Sequence, residues 1–289
     1  ASPEMKEKYL GAALAAVDAV NPTSTGDGQA MGLAVGAEMV NGDVFAGSEI
    51  RFIAPPRPTL VHQLPPTRLV GKLIRLAMSV LPDLVLRPFL MRFLTTNLGP
   101  NRGLFDAGAI LVNRDGERFT NERGAPRHDI PKQPGGDSYI VFDQKIADDF
   151  NAWPNFISTA PGVAYAYLAD YRKNRKDITF QAPSPDVLAT RLGVPADALA
   201  KALAAAASPA LDTPPYYALG PARSWIAFTE GGLRVDRKLR VLDGGGQPIA
   251  GLYAAGSCGQ GGVLLEGHGH HLAWTFTSGR LAGAYAAEA

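Results

Sequence analysis

Residues 264–274, "LLEGHGHHLAW", place His268, His270 and His271, three of the chain's five histidines, within four positions and next to Glu266. Glu266, His268 and His270 alternate, so on an extended strand they would share one face and offer the nitrogen and oxygen ligands that zinc accepts. Gly267 and Gly269 between them disfavour a rigid strand, and no other His or Cys stands at a metal-site spacing. A tight glycine turn with solvated imidazoles is a second reading. A third follows from position, because the apolar stretch "GLYAAG" precedes the loop and "HHLAWTFTSGRLAGAYAA" follows it as a helix. A strand, a glycine loop and a helix start leave free backbone N–H groups and the positive end of the helix dipole at about residues 269–272. Such a place suits an anion or a negatively polarised ring edge, for instance the N1–C2=O edge of a reduced flavin.

Whole-chain properties narrow the partners. The chain has 289 residues, a formal net charge of +1 and 46% hydrophobic residues, so it is globular and carries no global field that would draw nucleic acid. Its length suits two lobes. Cys258 is the only cysteine, which excludes an internal disulfide and a multi-thiolate metal site and suits a reducing cytoplasm. No signal peptide opens the sequence, and no uninterrupted apolar run approaches the ~20 residues of a spanning helix.

The elements that must position these residues are read from local signals. Ser2, Pro3 and Glu4 mark a helix start, and a glycine turn at 26–28 leads into a second helix with Ala30, Leu33, Ala34 and Ala37 on one face. Residues 51–102 are apolar, broken by prolines and basic, with eight Lys or Arg against one acid, Asp83. Within them Leu69, Leu73, Leu76, Ala77 and Val80 recur at helical spacing, with Arg68, Lys72 and Arg75 on another side. Two readings stay open: a helical insertion packed on the rest of the protein, or a cationic amphipathic element at a membrane surface or substrate portal. "GAILVNRDGERFTNE" predicts two strands around an Asp115-Gly116 turn, and "SYIVFD" a strand followed by a helix from Gln144. Ser184, Gly193 and Pro195 bracket two helices. Further on, "GGLRVDRKLRVLDGGGQPIAGLYAAG" predicts a meander that ends in a buried strand. Gly279, Ala282, Gly283 and Ala286 form a small-residue face on the last helix.

In this order, "SPEMKEKYLG", "TGDGQAMGLAVGA", "GAILVNRDGERFTNE", "SYIVFD", "PPYYAL" and "GLYAAG" with its glycine loop and "SGRLAGAYAA" resemble the fumarate reductase/succinate dehydrogenase flavoprotein superfamily, which includes 3-ketosteroid dehydrogenases. The resemblance touches most of the chain except 51–102. It implies an α/β plus α+β fold, an incomplete Rossmann-like flavin-binding domain carrying an inserted α+β capping domain. Residues 1–50 and 211–289 would be the partial FAD-binding domain, 51–103 a basic apolar helical insertion, and 104–210 the capping domain. By the same resemblance FAD is the cofactor, with Gly26, Asp27, Gly256, Ser257, His271 and Leu272 around it. Hydride would pass between the flavin and a C–C bond of a small-molecule substrate, and Arg127 (or Arg123), His268 or His270 would move the proton. A histidine is the better acid or base on physical grounds. Glu266, Phe228 and Tyr217 would face the substrate, and an unidentified electron donor or acceptor would complete the cycle.

The departures from the family pattern carry information too. Phe228 in "AFTEGG" stands where fumarate reductases have a substrate-binding histidine, Glu266 where they have an arginine, and Ser257 where many relatives have a glutamate. Loss of two groups that grip a dicarboxylate points to a larger, more apolar substrate. The G-x-G-x-x-G turn that lets a backbone approach the pyrophosphate is absent from the chain, so the expectation is a C-terminal portion whose N-terminal FAD-binding segment lies elsewhere. The alternative from another class is a cofactor-less binding chain that keeps the cap fold.

Overall fold

A computed structural model describes residues 2–55, 64–65, 67–160, 164–206, 210–265 and 268–289. They form two compact units, one of residues 1–49 and 224–289, the other of residues 50–223. Both mix helix and sheet.

The larger unit is built on the long strand β8 (Tyr216–Thr229), which begins in this unit and ends in the other. One edge of β8 pairs antiparallel with β4 (Asp137–Phe142), which in turn pairs with β3 (Ile110–Val112). The start of β8 also pairs with β7 (Thr179–Ala182). β4 is buried almost throughout, so Ile140, Val141 and Phe142 all join a core with Leu111, Tyr171, Leu188 and Leu199. The predicted hairpin at 108–122 forms only in part. Asn113 accepts the N–H groups of Asp115 and Glu117 through its side chain, a turn that leaves a single bridge between Val112 and Arg118 in place of a second strand. Glu122 then turns inward, accepts the Leu111 N–H at 2.9 Å and pairs with Arg118 at 2.7 Å. Asp143 caps the helix Gln144–Asp149 as expected, and Ser184 and Gly193 cap the helix Pro185–Leu192 at its two ends.

A buried guanidinium ties separate segments of this unit together. Arg175, 1% exposed, donates to the Thr95 carbonyl at 3.0 Å and the Ile53 carbonyl at 2.5 Å, and pairs with Asp177.

The smaller unit starts with the helix Pro3–Leu10, capped by Ser2, whose hydroxyl accepts the Met5 N–H. The helix Asp27–Ala34 packs on the strand Gly232–Leu233 through Gly32, where a methyl group would stand 2.4 Å from Leu233 Cδ1. Of its predicted small-residue face, Leu33 and Ala37 pack against the core, whereas Ala30 and Ala34 are exposed. The hairpin Arg240–Leu242 with Pro248–Tyr253 follows the expected meander, but its last strand, expected to be buried, is largely exposed, since among the described residues it pairs on one edge only. Among the described residues the core here is small: Ala37, Leu233, Val241 and Ala254. The last helix, His268–Ala287, docks by Trp274, Ser278 and Ala282. Gly256 fastens it, donating its N–H to Ser278 Oγ at 2.9 Å while its carbonyl accepts from Trp274 Nε1 at 3.0 Å. Gly279 and Gly283 of the expected small-residue face point to open space.

Candidate functional site

The smaller unit holds a cleft of about 320 Å³, bounded by the helix Pro3–Leu10, the turn before the helix Asp27–Ala34, the end of β8, the glycine loop after residue 256 and the start of the last helix. That volume lies at the low end of the range of small-molecule sites. Gly26, at φ 83° in the left-handed region, lets the chain turn into Asp27, and Gln29 one turn later reaches across to the Ser257 carbonyl at 3.4 Å. Ser257, Gln260, His271 and Thr275 form the facing wall, with Phe228 and Ile226 supplying apolar surface.

Behind that wall lies Glu230, 2% exposed. A carboxylate so far from water needs partners. One oxygen accepts from Gln260 Nε2 at 2.5 Å and from the Leu265 N–H at 2.8 Å. The other lies 3.3 Å from His271 Nε2, an ion-pair distance off the line of an aligned hydrogen bond. The His271 ring also packs against Phe228, with centroids 3.9 Å apart. The imidazole is thus held between an aromatic ring and a buried acid, at the rim of the cleft. Among the described residues the lining contains no carboxylate and one ammonium, Lys6. Burial draws the Lys6 pKa down while Asp18 pulls it up, and the ammonium donates to the Val17 carbonyl at 2.6 Å.

The cleft brings together four of the sequence-predicted residues: Gly26, Ser257, His271 and Phe228. Asp27 is exposed in the first turn of its helix, outside the lining. Gly256 already uses its N–H and its carbonyl to hold the last helix. The amide expectation needs correction, because the last helix begins at His268 rather than His271. The free first-turn N–H groups of a helix starting there end at residue 270, so those of His271 and Leu272 belong to the intrahelical ladder. Leu272 is 61% exposed, and His270 is exposed as well. Tyr217 belongs to the core of the larger unit, 3% exposed, with its hydroxyl donating to Gln144 Oε1 at 2.7 Å and its ring stacked on Phe142. Arg127 is an exposed residue of a short 3-10 turn in the larger unit, and Arg123 there donates to the Asp106 carbonyl. Glu266 lies outside the described residues, as does the side chain of His268. Among the described residues no group of three His, Cys, Asp or Glu side chains is placed to hold a metal ion.

Sequence reasoning missed Glu230, Gln260 and Gln29. The first two left a faint signal, an acid between an apolar strand and Gly231-Gly232, and one amide in a loop of glycines.

The sequence pattern of the family described as FAD binding domain matches residues 87–265. The chain belongs to the FAD binding domain family. FAD is the family's cofactor, and the curated relatives are named as oxidoreductases. Over 201 residues, 62% of this chain, the NADH:acrylate oxidoreductase of Vibrio harveyi is 29% identical. Over 202 residues, 63% of this chain, the probable fumarate reductase Ifc3 of Shewanella frigidimarina strain NCIMB 400 is 30% identical. The chain spans 18% and 31% of the length of these two relatives. Among solved structures, the open conformation of a flavocytochrome c3 fumarate reductase superposes on 99% of the chain, covering 44% of its own, with a TM-score of 0.62 at 22% identity. The 3-ketosteroid delta1-dehydrogenase of Sterolibacterium denitrificans, in complex with 1,4-androstadiene-3,17-dione, gives 0.58 at 22% identity over 100% of this chain and 51% of its own.

The cleft of this FAD binding domain chain fits its cofactor by the chemistry of its walls. Ser257 and Gln29 bring hydroxyl and amide groups suited to the polar edge of an isoalloxazine, Phe228 and Ile226 bring apolar surface, and among the described residues no carboxylate lines the cleft against the negative charge of a reduced ring. Cys258, half-buried beneath Gly28 with its thiol pKa pushed up by burial, is a packing group.

Proposed function

We propose that the chain is part of an FAD-dependent oxidoreductase that moves hydride to or from a C–C bond of an apolar, non-dicarboxylate substrate. The observation that carries this reading is the cleft in which Gly26, Gln29, Ser257, Gln260 and His271 converge on one volume beside Phe228. When bound, FAD supplies the hydride chemistry. Gln29 and Ser257 would hold and orient its head group, Gln260 would brace the wall behind them through Glu230, and Phe228 would exclude water from one side. His271, kept in place by Glu230, would hold or move a proton at Nε2 or Nδ1 close to that head group. Residues 104–210 would be the capping domain. The adenosine half of FAD would lie outside this cleft; the chain spans 18% and 31% of the length of the relatives it matches.

Phe228 supports the apolar substrate, as it brings a hydrophobic ring to the cleft wall. The relatives' names cover acrylate and fumarate, both compounds with a carbon–carbon double bond, which supports the reaction class.

The reading is tested by titrating FAD into the purified chain while following flavin fluorescence and melting temperature. FAD that binds the folded chain raises stability with its concentration, by about 2.7 kcal/mol at a hundredfold excess over Kd. Phe228→Trp, which crowds the cleft, should weaken that shift. Neither quenching nor a melting shift with FAD at millimolar concentration would overturn the assignment of this cleft.

A further inference from the structure

We propose that the helix Arg68–Val80, together with the exposed row of the helix after it, is a docking surface for an anionic lipid bilayer, on which it lies without crossing. This inference is independent of the flavin cleft and rests on residues 67–97 alone.

The helix Arg68–Val80 is well made. Thr67 caps it, accepting the Val70 N–H at 3.3 Å, and the chain leaves it at Leu81. Yet it buries no residue at all. Leu69, Leu73, Leu76 and Val80 are 67, 56, 59 and 70% exposed. With about 100° of turn per residue these four fall within an arc of about 60°, and Arg68, Lys72 and Arg75 gather in a second arc on the other side. Val70 and Ala77, on the flank between, are the half-buried positions. Of the stretch 51–102, the helix Arg68–Val80 is thus not packed on the rest of the described residues, whereas the helix that follows it is.

The helix Asp83–Asn97, which follows in the chain, carries a second exposed apolar row. Its inner face is anchored by Met91, Leu94 and Thr95, at most 2% exposed. Val85, Phe89 and Phe93, spaced by four, form its outer row at 46, 61 and 47% exposure. Exposed apolar side chains gathered in rows of this kind mark a place where water is displaced by something else.

Charge identifies the occupant. From Leu64 to Leu81 the sequence has three cations and no acid. An apolar arc with Lys and Arg on a second arc of the same helix, and phenylalanines on the helix that follows, matches a bilayer interface, where the apolar arc enters the acyl boundary and the cations meet lipid phosphates and carboxylates. No described helix is long and apolar enough to cross a membrane, so the geometry is that of a surface contact.

The test is co-sedimentation of the full chain with vesicles of phosphatidylcholine and phosphatidylserine in equal parts, and with phosphatidylcholine alone. Binding to the mixed vesicles should be strong at low salt and fall as salt rises. Lys72→Gln/Arg75→Gln should weaken it about 30-fold, each charge near an anionic surface being worth ~1 kcal/mol. Leu73→Gln/Leu76→Gln should abolish it with far-UV circular dichroism and melting temperature unchanged, because those side chains bury nothing in the free chain. Four results overturn the proposal: no sedimentation with either vesicle, binding that survives Leu73→Gln/Leu76→Gln, loss of folding in that variant, or a dimer that needs Leu73 and Leu76 while vesicles are ignored.

Discussion

Replacing Glu230 probes the buried pair directly, and two substitutions separate its parts. In Glu230→Ala the Gln260 amide and the Leu265 N–H lose their acceptor where water does not reach, since Glu230 is 2% and Gln260 1% exposed. Each orphaned donor costs about 1–3 kcal/mol, and the vacated volume adds to that, so a loss of about 4 kcal/mol is expected. Glu230→Gln keeps the shape. Its amide oxygen can accept both donors while its NH₂ turns to His271 Nε2, so only the charge assistance of the bonds is lost, about 1–2 kcal/mol. Urea unfolding followed by tryptophan fluorescence reads both, because Trp225 and Trp274 lie in the smaller unit. An alanine variant within about 1 kcal/mol of the parent would show that Glu230 is solvated and the wall of the cleft is not built on it. A glutamine variant as damaged as the alanine one would show that the charge opposite His271, and not the accepted hydrogen bonds, governs the site.

Three further outcomes are expected. Arg175→Ala should destabilise the larger unit by about 3–5 kcal/mol in a denaturation experiment, because it leaves the Thr95 and Ile53 carbonyls without their buried donor. Gly261→Ala should cost about 3 kcal/mol or more, since its methyl would stand 2.4 Å from the Leu233 carbonyl oxygen, which the backbone cannot move aside. At Asp236, burial raises the carboxyl pKa, but the Arg240 side chain and the N–H groups of Arg240 and Lys238 outweigh it, and the net shift is downward. A depressed carboxylate contributes stability above its unfolded pKa and loses it as pH falls through the folded one. Acid unfolding of the parent should therefore steepen below the ordinary aspartate range, and Asp236→Asn should flatten that slope.

What the sequence disclosed was mostly local. The caps at Ser2 and Ser184 satisfy nearby N–H groups with single side chains, and Gly193 and Gly26 supply the left-handed conformation at a helix end and a helix start; such signals need no knowledge of the rest of the chain. The amphipathic period of 68–80 was equally plain, but whether its apolar arc would be covered was not, because that depends on what folds beside it. β8 could not be foreseen as the strand shared by β4 and β7, since its partners lie far away in sequence. The same holds for Glu230 and His271, forty-one positions apart.

The histidine cluster shows how one long-range fact would have settled a local question. The small residues at 279, 282, 283 and 286 suggested which side of the last helix is packed, yet Ser278 and Ala282 are the buried ones, and Gly279 and Gly283 face outward. Ser278 is held there by Gly256, a contact no periodicity reveals. Once Ser278 marks the packed face, the helix period does the rest. His271 lies seven residues before it, about two turns, and so shares its direction, whereas His270 and Leu272 are rotated by about 100° to either side and emerge into solvent. Of His270 and His271, the second is thereby the one the fold turns towards Glu230 and the cleft, and the serine at 278 is the residue that sets that choice. Ser278→Ala should accordingly loosen the helix at Gly256 and weaken FAD binding together, whereas His270→Ala should leave both unchanged; FAD binding in the same titration that is indifferent to Ser278 yet lost with His270 would reverse the assignment.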